Sequence, residues 1–377
     1  MNKEAPKGWD LVNFDSFFTV LPSKKYQVQK QDYLEKGLVP VVDQGQKLII
    51  GYTDDESKKF NKNNVIIFGD HTRIVKYINF DFAVGADGTQ ILETKDGIDL
   101  KFGYYQLLNK NIPDTGYNRH FKYVKAEKYV IPPTLAEQQE IVQVLDTMSD
   151  IIRLREECIS HAQDLIPALF QEMFKPYANY TKTVLNNLFE FKSGGTPSKQ
   201  VEEYFQGDIP WITTVALSKL YINEDDANEL ITEEAIQKSA TKLIPAHSLL
   251  FGTRVGIGKL AINTVPMCTN QDIVAMIPFE NNNLNLVYAY WYLKQINNFF
   301  VANGRGVTIQ GITTHLVKNT EIILPPLKIQ EQFAEKAIEI ETYINEQQEE
   351  LENAKQMFQS LLHHAFTGEL TRRAYEN

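Results

Sequence analysis

The sequence predicts an α+β protein: two mixed α/β globular domains separated by a long antiparallel two-helix coiled coil, related by a pseudo-twofold internal duplication. Three observations carry this. LPPLKIQEQFAE at 324–335 echoes IPPTLAEQQEIV at 131–142. The residues after each echo share one apolar phase. The stretches before each echo are of similar size and carry weak parallels in the same order.

The echo is read by shifting the chain 192 positions: Pro133 falls on Pro325, Leu135 on Leu327, Gln138 on Gln330. Steps of four and three from Ile141 then pick out Leu145, Met148, Ile152, Arg155, Ile159, Ala162, Ile166, Leu169 and Met173. The shifted set is Phe333, Ala337, Ile340, Ile344, Gln347, Leu351, Ala354, Phe358, Leu361 and Ala365. Both are apolar except at the fifth place, as in the a/d seam of a coiled coil. Each helix is predicted to start after its Pro-Pro pair, and the first to stop near Pro176. Pro167 should kink or break the last turns of the first. If the helices pack antiparallel, Arg155 and Gln347 meet near the pseudo-axis, a polar pair that fixes register.

The domain plan that follows is a globular domain over 1–130, a helix over 131–176, a second globular domain over 177–323 and a second helix over 324–377. VIIF (65–68), KLIIGY (47–52), KLAI (259–262) and DIVAMI (272–277) read as strands, with turns at Asp87-Gly88 and Gly194-Gly195. IIFGDHTRIVKY (66–77) parallels LLFGTRVGIGKL (249–260), VGADGTQIL (84–92) parallels CTNQDIVAM (268–276), and GYNRHFKYV (116–124) parallels GRGVTIQGI (304–312).

Charge is partitioned. The net charge is −10, yet 131–174 holds 8 acidic and 2 basic residues and 324–370 holds 9 and 3, so each is net −6. The remainder is therefore net +2, which permits contact with phosphate. No apolar run reaches 18 residues, so no membrane span is expected, and MNKEAPKGWDLVNF lacks the apolar core of a secretory signal. Two cysteines in dissimilar contexts, Cys158 and Cys268, make neither a disulfide framework nor a zinc site; a cytoplasmic protein is expected.

No catalytic constellation stands out. An Asn-Pro-Pro-aromatic motif is missing, and GTRVGIGKL fails as a phosphate loop because Gly252 and Gly258 are one residue too far apart and Leu260 stands where a hydroxyl is needed. TDDESKK (53–59) reads as a solvated turn, and His363-His364, adjacent on a helix, point apart. Trp211 reads as core, Asp70 and Asp87 as loop-ordering carboxylates.

These segments resemble the specificity subunits of type I restriction-modification systems. PPTLAEQQEIV and LPPLKIQEQFAE look like the starts of their conserved helices and HHAFTGEL (363–370) like the end of the distal one. KSGGTPSK and GDIPWITT (192–199, 207–214), followed by GTRVGIGKLAI and CTNQDIVAM, resemble a target recognition domain. VVDQGQKLIIGYTDD, FGDHTRIVKY, FAVGADGTQIL and GYNRHFK, with no GGTPS loop, resemble another class of such domains. The resemblance implies that each domain reads half of an asymmetric bipartite site in double-stranded DNA. The helices would set the spacer and dock two methylation subunits. It implies no cofactor on this chain: S-adenosylmethionine sits on the methylation subunits, and ATP and Mg on restriction subunits that join the full complex.

Arg suits guanine and Asn or Gln suits adenine in the major groove, whereas Lys and backbone amides hold phosphate. The first domain offers Gln44, His71, Arg73, Asn118 and Arg119, with Lys24, Lys25 and Lys122 on phosphate. The second offers Arg254, Asn270, Gln271, Arg305, Thr308 and Gln310, with Ser193, Gly194, Gly195, Thr196 and Lys199 along the DNA backbone. Two rival readings are a stand-alone nuclease or methylase and a coiled-coil adaptor with protein-binding heads.

Overall fold

A computed structural model of the chain describes residues 5–85, 87–280, 283–306 and 310–370. In chain order the first half holds β1 (Asp10–Asn13), α1 (Phe14–Phe17), β2 (Phe18–Leu21), β3 (Val39–Val42), β4 (Gly51–Thr53), β5 (Val65–Gly69), β6 (Val75–Ile78), β7 (Ala83–Val84), β8 (Thr89–Thr94), α2 (Leu100–Leu108), α3 (Phe121–Ala126), β9 (Lys128–Ile131) and the long α4 (Leu135–Phe174). The second half repeats the theme with β10 (Lys182–Val184), β11 (Phe189–Ser193), β12 (Ile209–Ile212), β13 (Tyr221–Ile222), β14 (Glu229–Ile231), α5 (Glu233–Gln237), β15 (Leu249–Gly252), β16 (Leu260–Asn263), β17 (Cys268–Thr269), β18 (Ile273–Pro278), α6 (Leu286–Gln295), α7 (Asn297–Ala302), α8 (Thr314–Lys318), β19 (Glu321–Ile323) and the long α9 (Leu327–Ala365).

Sheet order makes the duplication explicit. β2-β8-β5-β6 in the first half matches β11-β18-β15-β16 in the second, where β13 extends the sheet; β4-β3-β7 matches β14-β12-β17, and the pair β1-β9 matches β10-β19. The parallel pairing in the smaller sheet recurs as well, β3 with β7 at Val41↔Ala83 and β12 with β17 at Trp211↔Cys268; β13, which has no counterpart in the first half, adds a second parallel pair with β16.

The chain divides into two compact units. One comprises the described residues up to 156 and from 350 onward, the other residues 157–349, so each long helix gives one segment to each unit. The seam pattern explains why. Every predicted seam residue is buried or half-buried, whereas Gln143, Thr147, Arg153 and Ser160 between them are exposed.

In the first unit Ile141 and Leu145 of α4 share a core with Leu362 and Ala365 of α9 and with Phe14, Phe17, Phe18, Phe102 and Tyr129. Arg155 pairs with Glu350, and the Lys355 ammonium lies 3.1 Å from Glu156. In the second unit Cys158 Sγ is 3.1 Å from the Tyr343 hydroxyl, and Phe170 meets Phe333 edge-on at 5.2 Å between centroids. Rising numbers on α4 therefore meet falling numbers on α9 in both units, the antiparallel arrangement the sequence predicts.

Two expectations are corrected. Pro167 does not break α4, which continues to Phe174. Proline removes an N–H and costs about 3 kcal/mol in a helix interior, but Ile166, Phe170 and Phe174 around it are buried in the core of the second unit, and burial of side chains that size offsets the loss at roughly 1.5–3 kcal/mol each. Only the end of KLIIGY forms a strand. The Lys76 side chain, 6% exposed, donates to the carbonyls of Asp43 at 2.8 Å and Lys47 at 2.5 Å, so 43–47 curls around a buried ammonium and cannot lie extended. Burial holds the Lys76 pKa below the usual lysine range.

Candidate nucleic-acid interface

In each unit the loops that follow the sheet strands are laced into one cluster. In the first, Gln44 is the central tie. Its Oε1 accepts the His71 backbone N–H at 2.9 Å and its Nε2 donates to the Asp87 carbonyl at 3.1 Å, joining three loops. Gly88, at φ +82°, fits against this junction: a Cβ there would fall 2.8 Å from Gln44 Nε2 and His71 Cδ2. The buried Asp70 orders the next loop. Its Oδ1 accepts the Phe121 N–H at 2.8 Å, and its carbonyl accepts the backbone N–H of His120 at 2.8 Å and His120 Nδ1 at 3.0 Å. A carbonyl can only accept, so His120 carries its proton on Nδ1, and Nε2 is left to accept from the Thr115 N–H at 3.3 Å.

Arg73 departs from the expected free base-reader. Its Nη1 donates to the Ile112 carbonyl at 3.1 Å and its Nη2 meets Asp114 at 2.6 Å. His71 stacks face to face on Tyr117, 4.8 Å between centroids at 10°, and its Nδ1 donates to the Asn118 carbonyl at 3.2 Å. The Asn118 amide turns inward to the Thr115 carbonyl. Arg119 and Lys122 are exposed beside this loop. Lys24 and Lys25 are exposed on a short turn further off, Lys25 lying over the Tyr26 ring at 4.7 Å.

The second unit builds its cluster from other residues. Gly194 and Gly195 are buried, and their amides donate to the carbonyls of Ile273 at 3.2 Å and Thr269 at 2.8 Å. Neither presents an N–H to a ligand, a second departure. They are glycines because the chain passes too close for anything else: a Cβ on Gly194 would lie 2.1 Å from the Asn270 carbonyl and one on Gly195 2.5 Å from Ala240. Trp211 is core, its indole N–H bonded to the Gly195 carbonyl at 3.0 Å. Lys199 pairs with Glu229 and covers the Phe205 ring at 4.1 Å, so its charge is partly spent inside the chain.

Ser193 ends β11 with an exposed side chain, and the Thr196 hydroxyl donates to Gln271 Oε1 at 2.5 Å. Asp272 organises the centre. Its backbone N–H donates to Asn270 Oδ1 at 3.2 Å, its carboxylate accepts from Asn270 Nδ2 at 3.4 Å, and Arg254 Nε stands 3.8 Å away with the side chain half exposed. Arg254 and Arg305 both bridge through their backbones to Gly311, which brings Arg254, Asn270, Gln271, Arg305 and Gln310 onto neighbouring loops. Thr308 lies outside the described residues. GTRVGIGKL is the hairpin loop between β15 and β16, closed by Gly258 N–H to the Gly252 carbonyl at 2.9 Å.

Sequence reasoning missed Tyr117, His120, Asp272 and Lys76. Only Tyr117, an aromatic beside Gly116 in a polar loop, left a readable signal. Among the described residues no cluster of His, Cys, Asp or Glu is arranged to hold a metal ion, and no helix is long and apolar enough to cross a membrane.

A topology built twice, each copy carrying polar loops at its strand ends and resting on segments of the same two helices, defines a class of internally duplicated α+β proteins. The family model for the type I restriction modification DNA specificity domain matches the chain twice, over residues 6–161 and 178–353, and the chain belongs to that family. It is 28% identical over 346 residues to the EcoR124I/EcoR124II specificity subunit of Escherichia coli, covering 85% of this chain and 84% of that one. It is 29% identical over 153 residues to the MjaIX specificity subunit of Methanocaldococcus jannaschii, covering 40% and 35%. Its fold resembles the crystal structure of an S subunit from M. genitalium, with a TM-score of 0.64 at 16% identity over 97% of both chains. It also resembles a chain from a structural study of type I complex assembly and conformational transition, with a TM-score of 0.59 at 16% identity over 98% of this chain and 100% of that one.

Proposed function

We propose that this specificity subunit reads an asymmetric, two-part sequence in double-stranded DNA, one half through each loop cluster, and has no chemistry of its own. The observation that carries the reading is the repetition of one sheet topology with different side chains on equivalent loops. The loop after β5 holds His71, whereas the loop after β15 holds Arg254; the loop after β7 holds Asp87, whereas that after β17 holds Asn270 and Gln271. Equal scaffolds with unequal polar side chains suit unequal half-sites.

The long helices serve as the ruler and as the dock for two methylation subunits. On α4 in the first unit, Val144, Ile151 and Leu154 are exposed at 38%, 36% and 55%. They form an apolar stripe outside the seam that a partner helix would cover. S-adenosylmethionine belongs to those partners, ATP and Mg to restriction subunits that join them. Mapping adenine methylation in a host that expresses this chain with its cognate methylation subunits tests the reading: a split adenine motif is expected, and methylation without one defeats it. A steep fall of DNA affinity with salt is expected from the phosphate contacts, and a flat response would favour a protein-binding adaptor.

A further inference from the structure

Tyr117 is 90% exposed, more than any other large apolar or aromatic side chain among the described residues. A lone exposed ring needs no explanation; the way this one is held does. It sits at the tip of the loop 112–120, beside Gly116 at φ +75°, and that loop is tied down on both sides. Arg73 holds Ile112 and Asp114; the other Asp114 oxygen accepts the Gly116 N–H at 3.0 Å; His120 bridges Thr115 to Asp70; His71 donates to the Asn118 carbonyl and lays its ring flat against Tyr117. Because that carbonyl can only accept, His71 carries a proton on Nδ1.

The fold also accepts a conformational cost here. Arg73 has φ +63°, a region that costs a non-glycine residue on the order of 1 kcal/mol or more, and its Nε is buried with no hydrogen bond among the described residues. A strained arginine that fixes a loop carrying an exposed ring, with Arg119, Lys122 and Lys125 exposed alongside, is what a preorganised probe of a polyanion requires.

We infer that Tyr117 is a specificity-determining residue of the first unit: its ring enters a groove of the duplex and contacts a base pair of the half-site read there. His71 braces the ring. Arg73 is a positioning residue that touches no base. The inference rests on the DNA-reading role proposed above.

The test maps adenine methylation by this chain with its cognate methylation subunits and titrates the complex with its cognate duplex, for the wild type, Tyr117→Ala, Tyr117→Phe, Arg73→Ala and the Arg73→Ala/Tyr117→Ala double variant. Tyr117→Ala should lose about tenfold in affinity, the scale of one lost base-pair contact in a duplex site, or become degenerate at one position of one half-site, with the other half-site unchanged. Tyr117→Phe should keep most of the ring's effect. Arg73→Ala should show the same one-sided loss and faster tryptic cleavage at Arg119, and the double variant should be no worse on DNA than Tyr117→Ala alone. A wild type with a split motif and a Tyr117→Ala variant with the same motif and affinity within twofold overturns the inference and leaves the DNA reading standing. A wild type with no split motif overturns both. Strictly additive losses in the double variant remove Arg73 from the positioning role.

Discussion

Gln138 reaches from α4 to Asp99, accepting its backbone N–H at 2.7 Å through Oε1 while Nε2 donates to the Gly97 carbonyl at 3.1 Å. Gln330 repeats the contact from α9, accepting the Asn285 N–H at 3.0 Å and donating to the carbonyls of Asn283 at 3.1 Å and Pro325 at 2.8 Å. Asp99 and Asn285 are the N-caps of α2 and α6: Asp99 Oδ1 accepts the Phe102 N–H at 3.0 Å and Asn285 Oδ1 the Val287 N–H at 2.9 Å. The echoed glutamine is thus the bolt that fixes a long helix to the start of a globular helix, once per unit. It explains why the echo preserves that residue along with its prolines.

Gln138→Ala and Gln330→Ala should each destabilise the protein by about 1–2 kcal/mol, because each strands a half-buried backbone N–H, of Asp99 or Asn285, and removes the side chain that holds it. Both glutamines are essentially inaccessible, at 1% and 0% exposure, so water cannot fill in cheaply. Denaturant titration of each variant checks the value. A change below about 0.5 kcal/mol, the range of ordinary surface substitutions, would show that the contact is incidental.

The long helices were legible because their signal is local: the heptad spacing and the Pro-Pro starts lie within one segment, and burial follows the pattern residue by residue. Sheet topology was legible only as weak parallels, since strands of two to six residues carry little periodicity. The loop chemistry was the least legible. Arg73 looks like a free guanidinium until Asp114, forty-one residues on, is brought beside it. The Gly194-Gly195 amides look available until the chain around Thr269 and Ile273 folds over them. Whether a donor faces the solvent or the protein depends on partners tens of residues away, which spacing does not encode.

Arg254→Ala should weaken or relax one half-site, by ~1–3 kcal/mol if the guanidinium makes a bidentate contact to guanine, while leaving the fold intact. The side chain is half exposed and its ion pair with Asp272 is long at 3.8 Å, so little stability rests on it. Comparing the methylation motif with the melting temperature separates the two effects. An unchanged motif removes Arg254 from the reading surface.

The two cysteines should behave differently toward a thiol reagent. Cys268 is fully buried beside Trp211 and Ile231, and burial pushes its thiol up to about 11; Cys158 is partly accessible. Near pH 8 the native chain should take up one label, on Cys158, and the second only in denaturant. The shift has a sign in stability. The unfolded chain loses the Cys268 proton first, near its ordinary pKa of 9. The contribution is therefore intact below pH 9 and is lost as pH rises from about 9 to about 11. Two rapid labels on the native chain would show that the β12-β17 core opens easily.

The sharpest test of the helices as a ruler is to shorten both by one heptad, removing 149–155 from α4 and 348–354 from α9. Seven residues at about 1.5 Å each shorten a helix by roughly 10 Å, about three base pairs at ~3.4 Å per step. A whole heptad keeps the seam in phase, so Leu145 and Met148 before the cut still line up with Ile159 and Ala162 after it. Removing four residues instead would rotate the later seam positions off the partner face and should cost stability. Cutting only one helix should do the same, because its partner keeps apolar residues with nothing opposite. The matched double deletion should therefore fold, keep both half-sites and shorten the preferred spacer in the methylation motif by about three base pairs. An unchanged spacer in a folded, active variant would mean that the distance between half-sites is set by the bound subunits and not by the helices.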